Sequence, residues 1–153
     1  MRVFAYHNYG EADQLKAVDQ PLGEPGPGKM RIKIEAVSIN ASDQEMLRGR
    51  PAYTRIWGPF RPRRHVLGSD IAGRVDKLGP DVDGFQPGQK VFGDVMETWG
   101  GFAEYAVVPA AEMRPMPEGL SFADAAALPQ AACVAHQGLF AAAGLTFGRR
   151  KRR

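Results

Sequence analysis

Residue types suited to nucleophilic or metal chemistry are sparse in this chain: three histidines, His7, His65 and His136, and one cysteine, Cys133, in 153 residues. The histidines fall at no ligand spacing and so predict no metal site. A lone cysteine excludes an internal disulfide and a zinc held by four thiolates, and it suits a reducing, cytoplasmic compartment. Cys133 itself is expected as a small core residue. Phosphate has no seat either: no G-x-G-x-x-G occurs anywhere in the chain, so a dinucleotide's pyrophosphate finds no helix N-terminus to rest on. Two stretches are left with polar groups at useful density. Asn40 to Asp43 opens a short helical pattern in which Ser42 and Glu45 have capping-box spacing. Gly49 to His65 is an irregular basic loop carrying Arg50, Arg55, Arg61, Arg63 and Arg64 among Tyr53, Trp57 and Phe60. A loop of that length either covers a binding site or is a mobile surface segment.

The elements that must position these groups are mainly β. Met30 to Val37 alternates, with Met30, Ile32, Ile34 and Ala36 expected inward and Arg31, Lys33 and Glu35 outward. Val66 to Val95 reads as strand, turn, strand, with Asp83-Gly84 and Pro87-Gly88 supplying two tight turns. Met1 to Tyr6 and Leu15 to Val18 form a first hairpin, and Gly100 to Val108 a strand stopped by Pro109. Ser121 with Asp124 repeats the capping-box spacing before a helix that Pro129 interrupts; an alanine-rich helix then runs from Ala131 to Ala143 and ends at Gly144. The length suits one domain, too short for a catalytic domain plus a full dinucleotide-binding domain. With 18 glycines and 12 prolines the composition is that of a turn-rich β protein. No apolar run is long enough for a membrane span and no secretory leader is evident.

Net charge is +3, but residues 149–153 carry five positive charges, which leaves −2 for the rest. The basic character therefore belongs to the tail. Such a run can bind nucleic acid, yet no stacking aromatics are interleaved with it, so a solvated tail is the expectation.

The pattern G-x-D-x-A-G-x-V over Gly68 to Val75, with Gly79-x-x-Val82-x-x-Phe85-x-x-Gly88-x-x-Val91 after it, resembles the N-terminal GroES-like domain of the medium-chain dehydrogenase/reductase family. Ala36-Val37-Ser38-Ile39-Asn40-Ala41-Ser42-Asp43, Gly101-Phe102-Ala103-Glu104-Tyr105 and Ala126-Ala127-Leu128-Pro129 recur in the family's order. The resemblance implies a GroES-like, partly open β-barrel over residues 1–148 followed by a basic tail, 149–153, with no Rossmann domain. It also implies which residues matter. Where alcohol dehydrogenases of the family keep three zinc ligands, this chain has Asn40, Ser69 and Gln130, and a neutral amide or hydroxyl offers zinc neither charge nor softness. The chain is thus similar to the zinc-independent branch, whose members resemble quinone oxidoreductases and reductases of conjugated carbonyls. There a nicotinamide, NADPH or NADH, carries the hydride, and the protein positions the partners.

By that resemblance Asn40 donates its amide near the nicotinamide or the substrate oxygen, Asp43 orients its neighbours, Ser42 sits where a relay hydroxyl is kept, and Tyr53 is a hydroxyl donor above the substrate. Each has a plainer alternative: turn residue, structural carboxylate, helix cap, loop packing. Asp70 is expected to hydrogen-bond within the barrel rather than act as an acid or base. Val134 stands where the branch usually has a threonine against the nicotinamide, and His136 where it has an aromatic. The implied partners are a small quinone, enone or enal and a separate nucleotide-binding domain; a homo-oligomer stays open. The rival reading is a GroES-like binding or scaffold module without redox chemistry.

Overall fold

A computed structural model describes residues 1–56 and 58–142. Trp57, the expected helix stop at Gly144, Leu145 to Gly148 and the basic tail lie outside the described residues.

Strands β1 (Arg2–Ala5) and β2 (Lys16–Asp19) pair antiparallel as a separate hairpin. The main sheet contains β3 (Lys29–Val37), β4 (Asp70–Leu78), β5 (Lys90–Asp94), β6 (Tyr105–Pro109) and β7 (Met113–Pro115) in the order β6-β3-β4-β5-β7, every pair antiparallel. Its two edges, β6 and β7, are joined by Ala110–Glu112 alone. Four residue steps reach at most about 14 Å, so the sheet must roll until its edges approach. They do not bond to each other, and the barrel is partly open. The expected mainly β, GroES-like architecture is what forms.

Residues of alternate parity from the strands fill the inside: Met30, Ile32, Ile71, Val75, Val91, Val95, Ala106, Val108 and Met113 make one buried cluster. Gly73 is required where β4 crosses β3, because a Cβ there would stand 2.1 Å from the Lys33 carbonyl oxygen. The first half of β4 is buried on both faces. Ala72, on the outer one, packs against Ala125 and Ala126 of helix α2 (Phe122–Ala126). That helix is capped as expected, the Ser121 hydroxyl oxygen accepting the Asp124 N–H at 3.1 Å. One outward assignment needs correction. Arg31 is only 9% exposed, because its guanidinium lies under the segment before β3 and bonds to Asp76 at 2.5 Å, to the Gly23 carbonyl at 2.9 Å and to Glu24 at 3.1 Å.

Helix α3 (Pro129–His136) follows two residues after α2 and passes into a π-helical turn, Gln137–Ala142. None of its residues is buried, and Cys133 is exposed, against the expectation of a core thiol. The physical reason is that no layer among the described residues covers this helix on its apolar side.

Candidate functional site

Four segments converge where β3 ends. Helix α1 (Ala41–Arg48) starts there, held by buried Leu47 packing with Tyr6, Leu67 and Trp99. Its N-cap is Asn40 rather than the expected Ser42. Two capping frames two residues apart compete in this sequence, and the earlier one prevails because the Asp43 carboxylate is engaged twice. Its Oδ2 accepts the Asn40 backbone N–H at 2.7 Å and its Oδ1 accepts the Gly68 N–H at 2.8 Å. Asp43 thereby ties α1 to the loop before β4, and it is itself only 3% exposed. Burial pushes its carboxyl above the ordinary value despite the N–H groups of Asn40, Gly68 and Asp43 that pull it down.

Asp70, fully buried, performs the corresponding task at the first residue of β4. Its Oδ2 accepts the Gln130 N–H at 3.0 Å, at the start of α3. Its Oδ1 and the neighbouring Ser69 hydroxyl are buried with no hydrogen-bond partner. Burial is the main cause raising the Asp70 carboxyl; the Gln130 N–H and the Asn40 side-chain amide pull it down, and the nearby Asp94 and Asp43 charges add to the rise. The Ser42 hydroxyl donates to Gln130 Oε1 at 3.3 Å, and the Asn40 side-chain amide donates to Ser38 Oγ at 3.3 Å.

The structure thus gathers Asn40, Ser42 and Asp43 with Ser69, Asp70 and Gln130. It does not bring Tyr53 among them. Tyr53 sits on a single 3₁₀ turn, Ala52–Arg55, largely exposed, and its hydroxyl donates to the Glu45 carboxylate, which raises its pKa. Val134, one turn beyond Gln130 on α3, is 63% exposed. The His136 and Phe140 rings lie 4.8 Å apart at their centroids. Asp70 is the site residue that sequence reasoning assigned to the barrel alone; the signal that could have found it is its place directly after Ser69.

This donor set does not suit zinc. Asn40, Ser69 and Gln130 are neutral, and each oxygen of the buried Asp43 is engaged by a backbone N–H. Among the described residues no group of three His, Cys, Asp or Glu side chains could hold a metal ion. A separate apolar trough of about 550 Å³ runs along Ile34 to Val37 and is walled by Phe4, Ile39 and Phe102. None of the clustered polar residues lines it, so it is not where their chemistry would occur.

Residues 26–118 match the family described as the alcohol dehydrogenase GroES-like domain. A chloroplastic quinone-oxidoreductase of Triphysaria versicolor is 36% identical over 149 residues, which is 95% of this chain and 44% of that one. A 2-methylene-furan-3-one reductase of Solanum lycopersicum is 34% identical over 91% of this chain and 37% of its own. A mycobacterial protein solved complexed with NADPH superimposes with a TM-score of 0.79 at 25% identity, over 97% of this chain and 43% of that one. The chain spans less than half the length of these relatives.

Proposed function

The chain belongs to the alcohol dehydrogenase GroES-like domain family, and on that footing we propose that residues 1–148 are the catalytic half of a zinc-independent, NAD(P)H-dependent oxidoreductase of quinones or conjugated carbonyls. The observation that carries the reading is the cluster at the convergence of β3, α1, β4 and α3. It presents uncharged hydrogen-bonding groups, Asn40 and Ser42 foremost, on a scaffold fixed by two buried carboxylates. Such groups recognise a carboxamide or carbonyl oxygen and stabilise charge that develops on it, and they leave Lewis-acid chemistry unsupported.

A nicotinamide bound beside them would supply the hydride. The chain's own contribution is positioning. Asp43 holds Asn40 by its backbone N–H, so that the Asn40 amide has a fixed origin from which to reach a carbonyl oxygen. Ser42 donates its one hydroxyl proton to Gln130 Oε1 and would have to turn from it to donate to a substrate oxygen in the same region. The exposed side chain of Val134 offers the ring apolar surface where a hydroxyl would offer a bond. Tyr53 would have to leave Glu45 before it could donate to a substrate, which makes it the weakest of the expected site residues. NADPH is favoured over NADH by the relative solved with it. Because no glycine-rich phosphate loop occurs in the 153 residues, the chain by itself binds the cofactor weakly and depends on a nucleotide-binding domain outside these residues. A reducing compartment, the cytoplasm, fits the lone exposed thiol.

The test is a metal analysis combined with NADPH oxidation. The chain, alone and together with a polypeptide carrying the nucleotide-binding half, is supplied with a p-quinone or an α,β-unsaturated ketone in the presence of a chelator. Oxidation by the pair that persists under chelation is expected. Activity abolished by the chelator, bound zinc at residues 40, 69 and 130, or no oxidation by the pair would defeat the reading and leave the non-catalytic module.

A further inference from the structure

The first turn of α3 lacks a cap of its own. An α-helix begins with backbone N–H groups that no preceding carbonyl can reach. The residue before α3 is Leu128, whose side chain has no acceptor, and the first helical residue is Pro129, which has no N–H. The next donor, Gln130 N–H, is taken by Asp70 Oδ2 at 3.0 Å, from a residue 60 positions earlier in the chain. With none of its own residues buried, α3 depends on polar ties: this bond, and the Ser42 hydroxyl on Gln130 Oε1. Asp70 is well placed to anchor them. It pairs with Asp94 across β4 and β5, and its carbonyl receives the Ser38 N–H at 3.0 Å.

We propose that Asp70 is the positioning residue of the candidate site: it caps α3 from across the fold and so sets Gln130 and Val134 relative to Asn40 and Ser42. Its value to hydride transfer rests on the function proposed above; the capping itself does not. Only one oxygen is needed for it. Oδ2 accepts from Gln130, which leaves Oδ1 as the oxygen able to hold a proton when the acid is neutral. Burial favours that form most, and the acidic Asp94 from β5 and Asp43 from α1 add to it; the Gln130 N–H and the Asn40 side-chain amide, which also face Asp70, pull the other way without reversing the direction. An asparagine at position 70 reproduces this arrangement, its oxygen toward Gln130 and its amide nitrogen in place of Oδ1.

Amide hydrogen exchange of this chain tests the proposal, in the wild type and in Asp70→Asn, Asp70→Ala and Val75→Ala. Asp70→Asn keeps the protection of Gln130 to Cys133. Asp70→Ala loses roughly fivefold to tenfold there, the loss of a typical cap, while β3 and β4 change less. Val75→Ala, a core cavity, lowers all of them in parallel. Should Asp70→Ala fail to fold, Gln130→Pro removes the donor, spares the carboxylate, and must give the same local loss. Unprotected wild-type amides in the first turn, an unchanged α3 in Asp70→Ala or Gln130→Pro, or an Asp70→Asn variant as impaired as Asp70→Ala overturns it. No readout involves a nicotinamide, so failure here and failure of the proposed function are separate results.

Discussion

Asp43 uses both of its oxygens, and that makes its substitution the sharpest probe of the site. Replacing it with alanine strips acceptors from the Asn40 N–H, 2.7 Å away, and the Gly68 N–H, 2.8 Å away. Bonds to a charged acceptor contribute about 1.5–3 kcal/mol each, so the gross loss is about 3–6 kcal/mol. Relief of the buried carboxylate, whose pKa is raised by desolvation, offsets part of that, and a net destabilisation of about 2–4 kcal/mol is expected. For a domain of this size the melting temperature should fall by about 5–15 °C. Asp43→Asn should rescue little, because its amide oxygen can satisfy one N–H while its NH2 is turned toward the other, donor against donor. Asp70, which uses one oxygen, should behave in the opposite way, with asparagine close to wild type. Urea denaturation of the four variants gives the comparison directly, from midpoints at equal slope. An Asp43→Ala variant within about 0.5 kcal/mol of wild type, the scatter of ordinary surface changes, or an Asp43→Asn variant as stable as wild type, would show that these carboxylate bonds do not hold the site together.

Other outcomes follow from the same geometry. The Asp70 carboxyl is raised in the folded state above its ordinary 3.8, so its contribution to stability is complete below that value and is lost as pH rises through the folded value. The stability of wild type relative to Asp70→Asn should therefore fall from pH 4 toward pH 8, and parallel curves in urea unfolding would contradict the assignment. Arg31→Ala leaves Asp76 and the Gly23 carbonyl without their donor and should cost about 2 kcal/mol, read as a lower urea midpoint. Gly73→Ala forces a Cβ to within 2.1 Å of the Lys33 oxygen, and loss of at least about 3 kcal/mol, or failure to fold, is expected. Cys133 is exposed, so an aromatic disulfide reagent should modify it in the folded chain without denaturant; a thiol that reacts only in urea would mean that α3 is covered in solution.

Local rules made the barrel legible. The period-2 run from Met30 to Val37 and the glycine turns after Leu78 specify strands and a hairpin without reference to the rest of the chain, and β3, β4 and β5 form there. What was missed always involves a distant partner. Alternation correctly puts Arg31 on the face opposite Ile32, but it cannot tell that Gly23 and Glu24 come back to cover that face. Sequence spacing puts the cap of α1 at Ser42, whereas Asn40 is the cap, and the choice is made by Gly68, 25 residues from Asp43. Burial of Cys133 presumed a layer over α3 that the described residues do not supply. The candidate site mixes both kinds. Asn40, Ser42 and Asp43 lie in one short stretch and could be read, whereas the role of Asp70 exists only once Gln130 is folded against it.

On the metal-free function proposed above, the two carboxylates account for how the segments of the site are held together. A zinc ion bound by three residues from three segments serves structure as well as chemistry, since it fixes where those segments meet. Asn40, Ser69 and Gln130 come from three such segments and offer no ligand set, so something else must hold them. In this chain Asp43 fixes the first segment to the second through Asn40 N–H and Gly68 N–H, and Asp70 fixes the second to the third through Gln130 N–H. Each buried carboxylate draws on backbone donors that would otherwise be unsatisfied at a helix start or a turn. These two staples bind backbone rather than side chains, so the Asn40 side chain is left to the chemistry while the meeting point of the segments is kept.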